Sequence, residues 1–521
     1  MDDAEQEYEH KTKKPLILLG PDEKRVNDEA IAALAKHSDV YQRGKELVRV
    51  SLEDKDGLSV PCIETLPSAT LRELLTEVVN FDSGRSLTHP PDWCVSGILN
   101  RSRWDGVRLL RQVVEYPVLR PDGSVLLTPG YDPKTQLVLQ PSGKLLPVPD
   151  QPTDAQLRDA LGRLLDVVCD FPFAQDYHRS AWLAGLLTLF ARHAYRGPTP
   201  FFLVDGNVRG AGKGLLCNVA AIIATGRRME TGTHVTEEAE ERKRIGAAAM
   251  AGTPLYLIDN INSRFGSGAF DAALTATTFT DRVLGVQKLL SYPMCTVWWG
   301  NGNNVQFRTH VDTARRTLHI RLLSPEQNPE ARNDLKRPRL VEYVQEQRAQ
   351  LAADALTLLR GYHRARPAVP LAPWGSFEGW SDAVRAPIVW LGLPDPHLAH
   401  EHLAQAADTT ASALRELVHG WAQMCTDQNM PDGCSARHAV EWLAEDWEYK
   451  ARSPGAQLRF RRLHDALAEL CNTNGRALPD VKQLGYTLRA YRGRVVDGLY
   501  LDGAERDEKG LLWKVFNRKK A

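Results

Sequence analysis

The chain has 521 residues, 43% hydrophobic and 25% charged, the balance of an ordinary globular protein with room for three or four domains of about 150 residues. Lys plus Arg and Asp plus Glu both number 65, so overall charge singles out no partner; no apolar run reaches the ~18–20 residues that span a bilayer, and the acidic start Met1-Asp2-Asp3 has no apolar signal region. The eight cysteines (62, 94, 169, 217, 295, 425, 434 and 471) form no C-x-x-C pair, which predicts reduced thiols in a cytoplasmic protein and indicates neither a zinc site nor a disulfide framework.

In chain order, residues 1–14 are charged and expected to be disordered. Apolar spacing predicts helices over Asn27–Lys36 and Ala69–Val79 within an α+β region, 1–110, that offers no nameable site. Residues 113–150 alternate short apolar runs with the turns Pro121-Asp122-Gly123 and Pro129-Gly130, a hairpin pattern. Thr153 is placed to cap a helical stretch, 153–195, that completes a segment from 111 to 199. From Pro200 to Leu323 strand, loop and helix repeat, the pattern of a parallel α/β sheet, and a helix over Arg337–Ala365 closes a core of 200–365. A Pro-rich linker (366–400) and a last domain (401–521) follow.

The chemistry concentrates in the parallel-sheet region. The apolar strand Phe201–Asp205 runs into Gly206-Asn207-Val208-Arg209-Gly210-Ala211-Gly212-Lys213-Gly214, and Leu215 continues as a helix. Glycines let backbone N–H groups turn around phosphates, the helix N-terminus adds partial positive charge, and a lysine reaches the terminal phosphates. Two positions depart from the P-loop pattern: Asn207 stands where the first Gly is usual, and Gly214 replaces the Ser or Thr whose hydroxyl holds Mg²⁺. Taken alone, a Gly-rich turn between strand and helix would read the same way.

Downstream, the apolar run Leu255–Ile258 ends in Asp259, placed to hold Mg²⁺, and Asn260 follows where an acid would polarise the attacking water. A third strand, Met294–Trp299, leads to Gly300-Asn301-Gly302-Asn303-Asn304, and a polar amide at this strand end can contact the terminal phosphate. Arg315 and Arg316 come next, and either suits the neighbouring subunit's transition state.

This order of P-loop, acid strand, amide-ended strand and arginine pair resembles the superfamily 3-like AAA+ helicase domain of phage, plasmid and prophage primase-helicase proteins. The likeness extends to Pro117–Gly123, Pro129–Asp132, Asp170-Phe171-Pro172-Phe173 and Lys243-Arg244-Ile245, and covers residues 110 to 400. It implies a fold with an AAA+ P-loop core, an α+β N-terminal region and a helical collar. It also implies ATP and Mg²⁺ as cofactors, with Asn207 and Gly210–Leu215 cradling phosphates. Lys213 would bind the phosphates, Asp259 the metal, Asn303 or Asn304 would sense the terminal phosphate, and Arg315 or Arg316 would act in trans. A ring, a hexamer, follows, with a primase on a separate chain if one exists.

For DNA, the interval after the acid strand offers Arg282 and Lys288, since superfamily 3 rings carry a pore-lining hairpin there; an ordinary surface loop fits equally. Residues 450–521 hold sixteen Lys or Arg against eight Asp or Glu, a net of +8 that leaves −8 on the remainder. A helix over Pro479–Ala490 carrying Lys482 and Arg489, then strands near 494–501 and 511–516, predict a winged-helix DNA-binding module. The function expected is an ATP-driven DNA helicase or translocase of a mobile element. Two alternatives stand beside it: a nucleotide-binding DNA scaffold or origin-binding protein with little hydrolysis, motivated by Gly214 and Asn260, and a monomeric P-loop kinase.

Overall fold

A computed structural model describes residues 14–518 except 38, 56, 283–288, 309–310, 327, 408, 454–455, 472–477 and 509. Two compact units divide the chain at residues 403 and 404. Among the described residues no helix is long and apolar enough to cross a membrane.

The first unit opens with helices Glu23–Leu34, Ser68–Val78 and Asp92–Leu99 around a core that includes Val26, Leu71, Phe81 and Trp104. The first of these begins earlier than apolar spacing predicts, because the Asp22 carboxylate accepts the Arg25 N–H at 3.0 Å and caps the new start. A four-stranded sheet from Val40–Arg43, Glu46–Lys55, Leu58–Thr65 and Arg108–Leu109 accompanies them. Residues 112–139 form the short strands that the turn residues imply. Thr153 caps the helix Asp154–Asp166 in a reciprocal pair with Gln156.

The heart of the unit is a five-stranded, all-parallel sheet. Its strands are β1 (Phe201–Gly206), β2 (Glu230–Thr233), β3 (Leu255–Ile261), β4 (Val297–Asn303) and β5 (Thr317–Leu322), in the spatial order β2-β3-β4-β1-β5. Helices α1 (Lys213–Thr225), α2 (Glu238–Ala251), α3 (Gly268–Thr275) and α4 (Leu340–Ala365) belong to the same unit. Every residue of β1 is buried, as expected for a central parallel strand covered on both faces. The collar helix Asp176–Ala191 is apolar on nearly all sides and is buried from Ser180 to Ala191. It can press onto the sheet because position 185 is glycine: a Cβ there would lie 2.6 Å from the Trp299 ring.

Residues 366–400, read above as a linker, are part of this core. Trp374, Phe377 and Trp380 are buried with the helices, Trp380 Nε1 donates to Thr188 Oγ1 at 2.8 Å, and Trp374 Nε1 donates to the Arg315 carbonyl at 3.1 Å. Large aromatic surface outweighs the surrounding prolines.

The second unit has its own core, around Leu417, Trp421, Leu443, Leu463 and Leu488. Helices Thr409–Asp427, Ala436–Arg452, Arg461–Leu470 and Val481–Ala490 accompany a four-stranded antiparallel sheet in which Gly510–Asn517 pairs with both Cys434–Ser435 and Leu499–Asp507.

Candidate nucleotide site

Three strand ends and one loop build the site. β1 passes into the loop 207–212, in which Gly210 and Gly212 hold φ of 74° and 83°, and α1 begins at Lys213. That left-handed backbone turns the loop back over the strand at little cost only in glycine. Asn207, in place of the usual glycine, ties the loop down: its amide donates to the Ser324 carbonyl at 2.9 Å and its Oδ1 accepts the Ser324 N–H at 3.0 Å. Ala211 is buried, and Leu215 is exposed beside the loop.

Lys213 folds back toward β1. Its Nζ donates to the Val208 carbonyl at 2.9 Å, and a Cβ on Gly206 would meet its Cδ at 3.0 Å. Burial, and then Arg321 nearby, push the amine below its ordinary value, with Asp205 opposing them. An ammonium ion made less comfortable by desolvation gains more from a phosphate partner.

β4 lies between β1 and β3 and brings the rest together. Val204 is level with Asn301, and Ile258 is level with Gly300. The register slips between Ile258 and Ile261, and Asn260 takes φ of 54° at that irregularity. Asp259, partly buried, sits at the slip, and among the described residues no Lys or Arg pairs with it. It is close enough to Cys217, one turn into α1, to raise that thiol further, although burial is the main cause.

The residue that joins the two halves is Asn301. It is buried, its Oδ1 accepts the Asn260 N–H at 3.0 Å, and its Nδ2 would lie 3.8 Å from a Cβ at position 214. The resemblance pointed to Asn303 or Asn304, whereas the amide buried against the P-loop helix is Asn301, inside β4. Asn303 is exposed; Asn304 has φ of 47°, its N–H donates to the Gly206 carbonyl at 3.1 Å, and its Oδ1 accepts from Arg321 at 2.6 Å.

The two arginines differ. Arg316 is largely covered and pairs with buried Asp271 at 3.3 Å and Asp312 at 3.5 Å. Arg315 keeps 77% of its side chain exposed, with one loose contact to Asp312 at 3.8 Å.

Beside the loop opens a cavity of about 400 Å³, lined by residues that include Phe171, Gly212, Leu215, Glu330, Arg332 and Leu340. Its walls come from 170–172, part of the Asp170-Phe171-Pro172-Phe173 segment on which the resemblance drew, and from Ser324 and 329–342, which carry no motif. Phe171 seals one side closely, since a Cβ on Gly212 would stand 2.9 Å from its ring. The donor set fits a nucleotide with its metal: two left-handed glycines and a helix start for phosphates, one ammonium, one uncompensated carboxylate for Mg²⁺, and a half-apolar chamber of nucleoside size.

Arg282 is on the first strand of an antiparallel hairpin, Thr278–Arg282 with Leu289–Pro293, while Lys288 lies outside the described residues. In the second unit Lys482 and Arg489 are both exposed on the helix Val481–Ala490, and the Arg489 guanidinium sits 5.0 Å from the centre of the Tyr486 ring.

No family model and no curated protein matches the chain. Among solved structures it is similar to the A form apo structure of the NrS-1 C terminal region (10% identity, TM-score 0.40, covering 89% of this chain and 96% of that one). A structure of NrS-1 residues 305–718 gives 10% identity and a TM-score of 0.37, with 90% and 96% covered. A structure described as SCCmec type IV Cch, active helicase, gives 12% identity and a TM-score of 0.34, with 93% and 98% covered. At TM-scores this low the likenesses bear no weight, and the functional reading rests on the residues themselves.

Proposed function

We propose that this chain is an ATP-dependent DNA translocase or helicase of a mobile element, working as a ring, a hexamer. The observation that carries the reading is the junction at Asn301: one buried amide spans from the start of the P-loop helix to the backbone beside Asp259. Gly210–Leu215 and Lys213 would hold the phosphates of a nucleotide, Asp259 would hold its metal, and the cavity beside Phe171 would take its base. ATP with Mg²⁺ supplies the phosphoryl bond whose cleavage drives movement. The chain's own residues orient it: Lys213 neutralises charge, Asp259 fixes the metal, and Asn301 and Asn260 flank the line a water would take.

Arg315, exposed and weakly held, suits the role of an arginine supplied to the next subunit, which requires an assembly with the site at subunit boundaries. The hairpin that carries Arg282, together with Lys288 in the sequence that follows, is assigned to a single strand in the pore. The second unit is assigned to duplex DNA as a winged helix, with Val481–Ala490 entering a groove and Lys482 and Arg489 on phosphates. A primase, if the system uses one, is a separate chain.

The test is Mg²⁺-dependent ATP turnover with and without single-stranded DNA. The parent protein is expected to turn over ATP faster with DNA, and Lys213→Ala to abolish turnover. A parent that binds ATP without hydrolysing it selects the second reading, a nucleotide-binding DNA scaffold or origin-binding protein, which Gly214 and the non-basic Asn260 favour. A parent that phosphorylates a small molecule and ignores DNA removes both.

A further inference from the structure

β5 carries a cation that neither the P-loop nor the arginine pair accounts for. Arg321 is level with Asp205 across the β1–β5 ladder, and its Nη1 donates to the Asp205 carboxylate. Asp205 is buried and already accepts the Val305 N–H at 3.2 Å and faces His319 Nε2 at 3.3 Å. The carboxylate is therefore a fixed anchor, and it holds the guanidinium at the root of the P-loop. The other arm of Arg321 reaches Asn304 Oδ1 at 2.6 Å. A guanidinium has five N–H donors in a rigid fork, and these two contacts leave others unused. The side chain is 21% exposed and close enough to Lys213 to depress that amine. Two cations gathered without a matching second anion form an arrangement that a phosphate stabilises.

We infer that Arg321 is a phosphate-sensing residue acting in cis: it exchanges its bond to Asn304 for the terminal phosphate of a bound triphosphate. This rests on the nucleotide reading above. Asn304 is poised for the exchange. Its backbone stands at φ of 47°, held by its N–H on the Gly206 carbonyl and by its side chain on Arg321. Losing the Arg321 bond frees a strained residue at the head of the segment that leads to Arg315. Triphosphate binding then reaches the residue assigned to the next subunit through one displaced amide. A diphosphate leaves the Arg321–Asn304 bond in place.

The experiment compares a fluorescent, slowly hydrolysed ATP analogue with the matching ADP analogue by equilibrium titration of the full chain. Arg321→Gln is expected to lower the triphosphate-over-diphosphate preference about tenfold or more, the worth of one charge-assisted bond, while ADP affinity stays within about twofold. Arg321→Lys keeps the charge on Asp205, guards against a folding defect, and is expected to recover only part of the preference because the fork is lost. Asn304→Gly accepts the left-handed backbone without strain and releases the guanidinium, so it is expected to raise the preference a few fold. An unchanged preference in folded Arg321→Lys and Asn304→Gly overturns the inference and leaves the nucleotide site standing. Failure of the parent to bind either analogue removes the site and the inference together.

Discussion

The strand ends of the parallel sheet and the helix Val481–Ala490 both carry candidate functional residues, but they hold them in opposite ways. In the sheet region nearly every polar group is fixed by another: Asn207 by Ser324, Asn301 by Asn260, Arg316 by Asp271 and Arg321 by Asp205. On the second unit's helix, Lys482 and Arg489 stand in solvent over an apolar core. Geometry governs the first region and charge density the second. Substitutions in the sheet should therefore act steeply and individually, and those on the helix gradually and with strong salt dependence.

Acid gives the largest contrast. In the first unit burial pushes His178, His397 and His400 down to about 4. These imidazoles stay neutral when folded, whereas the unfolded chain takes up protons near its ordinary value of about 6.5. The stability they confer is therefore complete above pH 6.5 and is lost as the pH falls toward 4, a cost on the order of several kcal/mol in total. In the second unit burial lowers His464, with Asp446 opposing the shift. Hydrogen exchange, corrected for intrinsic rates, should show 176–191 and 374–400 losing protection at higher pH than 413–424 and 460–470. Simultaneous loss would contradict the contrast.

The arginine pair sharpens it next. Arg315→Ala should cut DNA-stimulated turnover by about 10³-fold, the scale of an arginine supplied in trans, without moving the melting temperature. Arg316→Ala leaves buried Asp271 without its cation and should destabilise the fold by about 1–3 kcal/mol. Mixing Arg315→Ala with Lys213→Ala subunits should restore part of the turnover, because one chain then supplies the site and the other the arginine. No recovery would place Arg315 outside the reaction.

On the helix the expected effects are smaller. Replacing Lys482 and Arg489 together with Ala should weaken duplex binding without altering DNA-independent ATP turnover. It should also reduce the slope of log affinity against log salt by about 2, near 0.9 for each phosphate contact. An unchanged slope would move the duplex contact elsewhere.

Legibility in the sequence followed the same division. The P-loop is a contiguous string whose residue types are dictated by backbone conformation, so Gly210, Gly212 and Lys213 could be picked out directly. The parallel sheet could be expected from its apolar runs, but the order of its strands could not. Asn301 is one of three similar amides in the sequence, and its burial against the P-loop helix, which no local pattern marks, separates it from exposed Asn303 and Asn304. Asp205 and Arg321 are 116 residues apart and meet only because β5 pairs with β1. Phe171 and the 324–342 wall carry no pattern that local physics would mark, and Trp374 and Trp380 were hidden among prolines that suggested a linker.

The smallest effect concerns position 214. A P-loop normally places a hydroxyl there, and here the glycine leaves the space empty: the nearest atom to a new Cβ is Asn301 Nδ2 at 3.8 Å, an ordinary contact. Position 214 lies in the first turn of α1, where serine is more favourable than glycine by a few tenths of a kcal/mol. Gly214→Ser should therefore fold at least as well as the parent and add a hydroxyl beside Asn301. If Mg²⁺ is held by the Asp259 carboxylate alone, the added ligand should tighten metal binding and raise turnover a few fold, with the Mg²⁺ concentration for half-maximal rate falling. If the hydroxyl instead bonds to the Asn301 amide that faces position 214, it is kept from the metal, and turnover and the Mg²⁺ requirement will stay as in the parent. A metal titration of the two proteins distinguishes these outcomes, and the second would leave Asp259 as the metal's protein ligand whatever stands at position 214.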